Sequence, residues 1–281
     1  MTQPAFERLG PESPDSPVVM SVPHAGRNYS SELQNLLAVP LGALTVLEDR
    51  HLDAVAIPAR GLRTMLLQRV PRAWIDLNRD EAERDPRVDA GAVPGRRSEQ
   101  SMKLRSGLGL VPRRAGQTAD IWRRRFTDAE IRKRIAEVHR PYHVELGRLL
   151  AAARERWGIA VLLDLHSMPP LLPAGPQVVL GDRYGRACGA RFVARTERIC
   201  AQAGLRAAIN APYAGAHILN RHGNPSRGVH ALQVELDRKL YLDSALDQPG
   251  AGVAKAIILV RAIADALADE ALSGRLAAAA E

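Results

Sequence analysis

Residues 159–165 read IAVLLDL, with one polar side chain among seven. A strand with one face in water alternates apolar and polar residues. A run without that alternation is covered on both faces, as in a parallel sheet flanked by helices. The run ends in Asp164-Leu165-His166, so two polar, chemistry-bearing groups sit at the tip of the most buried element of the chain.

The rest of the chain fits around that strand. Residues 17–21 (PVVMS), 64–67 (TMLL), 177–180 (QVVL) and 230–236 (HALQVEL) read as further strands, and residues 73–77 as a short one. Residues 31–37, 45–56, 188–202 and 251–279 read as helices. Residues 127–154 form a long amphipathic helix that opens with a capping box, Thr127 and Glu130, and is kinked or broken at Pro141. Residues 1–16 read as a loose arm. Residues 81–120, charged and with scattered Pro and Gly, read as a long loop or lid. Strands alternating with helices predict an α/β three-layer sandwich around a central mixed, mostly parallel sheet. With no repeat or low-complexity linker, the expectation is one domain over residues 1–281.

Composition narrows the function. The two cysteines, Cys188 and Cys200, have no metal-ligand spacing, which argues for reduced thiols rather than a disulfide framework or a thiolate zinc site. No apolar run approaches the roughly 20 residues of a membrane span, and residues 1–16 lack an apolar targeting core, so a cytoplasmic protein without membrane contact is expected. The net charge of +8 is spread along the chain without aromatic interleaving. It suits an acidic small molecule better than nucleic acid.

In α/β sheets functional groups gather at the carboxyl ends of strands. His24 follows the first strand, Asn78 and Arg79 the third, Asp164 and His166 the central one, and Glu235 lies near the end of a late one. Two histidines at strand tips are suited to hold a metal ion, and a carboxylate completes a set that leaves a position open for water. Spacing alone leaves Glu48, Asp49, His51 and Asp53 open as that third ligand. Glu235, in a mostly apolar strand, is suited to be a general base. Arg79 can pair bidentately with a substrate carboxylate, with the Asn78 amide beside it and Arg72 as a weaker candidate. Residues 216–223 (AHILNRHG) form a second donor-rich loop.

From about residue 18 to 243 the chain resembles the N-formylglutamate amidohydrolase family. The blocks are SVPHAG (21–26), EDRHLD (48–53), DLNRD (76–80), PYH (141–143), LDLHSMPP (163–170), VVLGDRYG (178–185), NAPYAGAHILNRHG (210–223) and GVHALQVELDRKLYLD (228–243). The resemblance implies a fold like that of zinc carboxypeptidases and aspartoacylases. It implies one zinc, or another divalent ion, held by His24, Asp49 and His166, with Glu235 as general base. It also implies that Asn78 and Arg79 hold the substrate carboxylate and polarise the scissile carbonyl, that Arg72 assists, and that Arg221 and His222 line the site. The implied substrate is a small acidic N-acyl amino acid, N-formyl-L-glutamate first. Leu47-Glu48-Asp49 stands where members often carry DTD or DED, which keeps Glu48 beside Asp49 as a candidate ligand. Residues 219–223 (LNRHG) replace a TRHYG-like loop, which leaves the preferred side chain open.

Overall fold

The computed structural model describes residues 4–93, 102–116, 120–171 and 175–278. Its contacts divide the chain into two compact units. One comprises Met1–Glu7, Pro23–Asp49 and Gln68–Val144; the other comprises Arg8–Val22, Arg50–Leu67 and Glu145–Glu281.

The strands β1 (Phe6–Leu9), β2 (Val18–Val22), β3 (Met65–Gln68), β4 (Ala160–Met168), β5 (Val178–Gly181), β6 (Ala207–Ile209) and β7 (Val229–Asp237) form one sheet in the order β1-β3-β2-β4-β7-β5-β6. β3, β2, β4 and β7 are parallel neighbours, and β5 joins β7 antiparallel, so the sheet is mixed. All nine residues of β4 are buried, as its unbroken apolar run requires. Each Leu or Val so covered contributes about 1.5–3 kcal/mol. Around the sheet lie α2 (Asp53–Ala59), α6 (Ala190–Gln202) and α8 (Val253–Ala278). α8 packs on α2, α6, β2 and β4. It does so through Ala256, Leu259, Val260, Ile263, Ala264 and Leu267, spaced three and four apart along one buried stripe. The α/β architecture expected from the sequence is therefore the one observed. Cys188 and Cys200 are buried free thiols. Among the described residues no helix is long and apolar enough to cross a membrane.

In the other unit, α1 (Ser31–Asn35) is capped by the Ser30 side chain. α3 (Met102–Arg105) is a single turn inside the segment read as a long loop; residues 94–101 and 117–119 of that segment lie outside the described residues. α4 (Asp128–Arg134) carries the expected capping box. The Pro141 break takes the form of a π-helical turn over Ile135–His139, after which α5 (Arg140–Trp157) resumes. Proline lacks the N–H for an i−4 bond, and widening the preceding turn relieves its clash with the earlier carbonyl. Arg134 closes α4 with its guanidinium over the rings of Trp74 (3.4 Å) and Phe126 (3.9 Å); burial pushes its pKa down to about 9.

Several local expectations are corrected. Residues 6–9 are a strand, not part of a loose arm: Arg69 pairs with Glu7, and the Arg69 N–H donates to the Ala5 carbonyl at 2.9 Å. The helix expected over residues 45–56 splits into a 3₁₀ turn (Leu41–Leu47) and α2. Between them Glu48 is extended, and the Asp49 N–H donates to the His24 carbonyl at 2.9 Å, a bond no helix could make. Residues 73–77 are turn and irregular chain, not strand: the Trp74 N–H returns to the Pro71 carbonyl at 2.9 Å, and the buried Asp76 carboxylate takes the Asn78 N–H just beyond (2.8 Å). Residues 217–222 of the expected polar loop form a helix, α7 (His217–His222).

One strand residue makes folding sensitive to acid. His230 of β7 accepts the Gly189 N–H at Nδ1 (3.1 Å), at the N-cap of α6, and its pKa is pushed down to about 4 by burial and then by the Arg191 charge. Between the ordinary histidine value and that lower one the unfolded chain binds a proton that the folded chain refuses, so stability rises with pH across this window. Urea unfolding at pH 7 and pH 4.5 is expected to show stability falling with acid. In His230→Asn, whose amide oxygen can take the Gly189 bond without titrating, the slope should shrink by one group's share; an unchanged slope would reject the assignment.

Candidate metal centre

His24 leaves the carboxyl end of β2, and His166 lies near the end of β4. Ser21 and Asp164 are register partners on these neighbouring strands. The sequence adds three residues from Ser21 to His24 and two from Asp164 to His166. Both histidines are 2% exposed.

In the unit that contains His24, its Nε2 donates to Asp76 Oδ1 at 2.7 Å, and its Nδ1 stands 3.6 Å from Asp49 Oδ2. An ionised carboxylate only accepts, so Nε2 carries the ring proton and Nδ1 presents a lone pair. Asp49 is thus the carboxylate set against His24. Glu48, equally buried, turns instead to the Tyr29 hydroxyl, which donates to its Oε1. Of the other residues that spacing left open, Asp53 opens α2 and His51 precedes it with a left-handed φ of 53°.

Asp76 is fully buried and is the hub of this half. Its Oδ2 accepts from Arg72 Nε at 2.9 Å and lies 3.8 Å from Arg79 Nε. Burial alone would raise its pKa; the charges of Arg72 and Arg79 and the bond from His24 outweigh burial and hold the carboxyl well below the usual range. Arg79 is 4% exposed and donates to the carbonyls of Leu108 (2.9 Å) and Asn78. Its pKa is lowered, by burial first, with Asp76 opposing. Arg72, Asn78 and Arg79 are therefore gathered around one aspartate. Sequence reasoning assigned Asp76 no role, although its place at the head of DLNRD, flanked by two arginines, was a usable signal.

The sheet unit repeats the pattern. His166 Nε2 donates to Asp164 Oδ2 at 2.9 Å, and Asp164 Oδ1 accepts from the Ser21 hydroxyl at 2.7 Å. Here too Nδ1 is the nitrogen left with a lone pair. His166 pairs in register with Glu235 of β7, and Asp164 with Gln233. Register partners project to the same face of a sheet, as do residues two apart on one strand. Ser21, Asp164 and Gln233 thus form one row, and His166 and Glu235 the next row toward the carboxyl edge. Glu235 is 9% exposed and accepts from Gln233 Nε2 at 3.0 Å. α7, which packs on β7 and β4, carries Arg221 and His222 in its last turn. Arg221 is exposed and His222 half-buried, its pKa pushed down to about 3 by burial and then by Arg221 and His217. His222 is therefore a neutral ring at physiological pH.

The donor set suits a metal ion. His24, Asp49 and His166 are buried, and each offers a ligand atom. In each histidine the nitrogen away from the lone pair is held by a buried carboxylate, the arrangement that orients metal-binding imidazoles and raises their basicity. A separation of 3.6 Å between His24 Nδ1 and Asp49 Oδ2 is one that two atoms on the same zinc ion can adopt.

The chain has relatives among known proteins. The model of the N-formylglutamate amidohydrolase family matches residues 16–242. The N-formylglutamate deformylases of Pseudomonas putida and Pseudomonas aeruginosa are each 29% identical over 236 residues, covering 81% of this chain and 82% of those proteins. The crystal structure of N-formylglutamate amidohydrolase from Ralstonia eutropha JMP134 is 30% identical with a TM-score of 0.84, covering 97% of this chain and 99% of that one. A gene product of Agrobacterium tumefaciens shares the fold at 18% identity and a TM-score of 0.62, with 94% and 95% covered.

Proposed function

Because the chain belongs to the N-formylglutamate amidohydrolase family, we propose that it hydrolyses the formyl amide of N-formyl-L-glutamate to formate and L-glutamate, with one divalent ion, zinc first, held by His24, Asp49 and His166. The observation that carries the reading is the repeated carboxylate–histidine pair, Asp76 with His24 and Asp164 with His166, at 2.7 and 2.9 Å. A buried histidine needs one partner for its N–H. Two that each spend a fully buried carboxylate on it, and keep the other nitrogen basic, are built to donate that lone pair.

When bound, the ion supplies Lewis acidity toward the formyl oxygen and makes water acidic enough to attack at neutral pH. Glu235 takes the proton of the attacking water as oxygen bonds to the formyl carbon. It returns that proton to the amide nitrogen as the C–N bond breaks, so formate leaves and glutamate departs as the amine. The side-chain amide of Gln233 donates to one Glu235 oxygen at 3.0 Å, which helps to fix the carboxylate's direction. Arg79 and Asn78 pair with a substrate carboxylate, and Arg72, anchored on Asp76 through Nε, steadies the same cluster. Arg221 and the neutral His222 contribute donors from α7. Two substrate carboxylates match this excess of arginine, and the net charge of +8 steers an anion inward.

The test combines metal analysis of the purified protein with formate release from N-formyl-L-glutamate, before and after chelation. About one ion per chain and formate release abolished by chelator and restored by zinc are the expected results. Metal without formate release would move the search to other N-acyl amino acids. Neither metal nor activity after zinc is returned would overturn the reading.

A further inference from the structure

The segment Asp76-Leu77-Asn78-Arg79 is not a strand, yet all four of its carbonyls and the N–H groups of Asp76, Asn78 and Arg79 are answered. The Asp76 N–H donates to the Leu110 carbonyl at 2.8 Å, and the Arg79 N–H returns to the Asp76 carbonyl at 3.2 Å. The Asn78 N–H goes to Asp76 Oδ1 at 2.8 Å, and the Asn78 carbonyl accepts from the Arg79 guanidinium. The remaining two carbonyls are taken by imidazoles: His143 Nε2 bonds the Leu77 oxygen at 2.9 Å, and His139 Nε2 bonds the Arg79 oxygen at 2.9 Å. Carbonyl oxygens only accept, so both rings carry their proton on Nε2. His139 is 0% and His143 1% exposed, with ring centroids 4.5 Å apart. His139 closes the π turn and His143 lies in the first turn of α5, so the bulge before Pro141 sets the angle between the two rings.

We propose that His139 and His143 are positioning residues for substrate binding: by gripping the carbonyls on either side of Asn78, they hold the Asn78 and Arg79 side chains at the reach and angle that a substrate carboxylate needs. The inference rests on the proposed function for the identity of that ligand. An apolar pair in these places would leave two buried carbonyls unanswered and let the loop shift to find partners. A bidentate arginine contact tolerates such a shift poorly, because its two bonds share one plane. His24 bonds Asp76 Oδ1 directly, and Arg72 anchors Oδ2 of the same carboxylate, so that carboxylate keeps two holds that do not run through the two carbonyls. Metal affinity should therefore be insensitive to them.

The test is a mutant cycle read on N-formyl-L-glutamate. His143→Leu is expected to raise KM by about tenfold, with kcat within about twofold and the metal content unchanged. His143→Gln, whose amide nitrogen can stand in for Nε2, should restore KM. On an Arg79→Gln background the effect of His143→Leu should vanish, since there is no guanidinium left to position. An equal rise in KM on that background, or a fall in kcat with KM unmoved, would overturn the assignment, as would His143→Gln behaving like His143→Leu. His139→Leu gives a second, independent reading should His143→Leu fold poorly. Hydrogen exchange separates the two layers of the argument. If the wild type neither binds nor hydrolyses N-formyl-L-glutamate, the substrate reading fails. The positioning claim is then decided by the amides of residues 77–80, and unchanged exchange in His143→Leu rejects it.

Discussion

Glu235→Gln is expected to lower kcat by about 10²–10⁴-fold, with kcat/KM falling in parallel, while bound metal and unfolding midpoint stay near wild type. The substitution keeps the shape of the side chain while removing its negative charge and its capacity to take a proton. Gln233 still finds an oxygen to donate to, so the bond now measured at 3.0 Å survives and no buried donor is orphaned. Glu235 pairs in register with His166 rather than ligating through the donor set of His24, Asp49 and His166, so metal content has no reason to change. The measurement is steady-state formate release with metal analysis on the same sample. Full activity in Glu235→Gln would sink the general-base assignment, and loss of metal would move Glu235 into the ligand set.

His166→Ala attacks the other half of the reading. Removing one of three protein ligands is expected to leave less than about a tenth of an ion per chain under conditions that load the wild type, and to abolish formate release with it. The change also withdraws the imidazole N–H from Asp164, a carboxylate with no exposed surface that then keeps only the Ser21 hydroxyl. Leaving such a group partly answered costs about 1–3 kcal/mol, so a lowered unfolding midpoint should accompany metal loss. Circular dichroism at low temperature separates loss of metal from loss of fold. Wild-type metal stoichiometry in folded His166→Ala would remove His166 from the ligand set.

Much of the architecture was legible because it is written in hydrophobic pattern. The run at residues 159–165 could only be a strand covered on both faces, and β4 is buried at every position. Thr127 and Glu130 announced a helix start that the structure reproduces in both directions of the capping box. Where expectation failed, a polar group had intervened. Residues 45–56 look helical by composition, but Glu48 and Asp49 are buried and must find partners in Tyr29 and His24, which bends the chain out of the helix. Residues 73–77 look like a strand, but the Trp74 N–H returns to the Pro71 carbonyl and Asp76 takes the backbone N–H just beyond.

The candidate site divides in the same way. Residue type and strand-end placement singled out His24, His166 and Glu235 from the sequence alone, because buried strands deliver their carboxyl-end residues to one edge whatever the loops do; Asn78 and Arg79 were singled out by residue type, since the strand expected before them is turn and irregular chain. Only the tertiary structure decided which carboxylate faces His24, that Asp76 joins His24, Arg72 and Arg79, and that His139 and His143 hold the backbone between them. Those facts depend on contacts between residues up to 66 positions apart. Hydrophobic periodicity repeats along a chain and can be read locally. A hydrogen bond is satisfied by whichever single partner the fold brings within about 3 Å, and no local pattern encodes that choice.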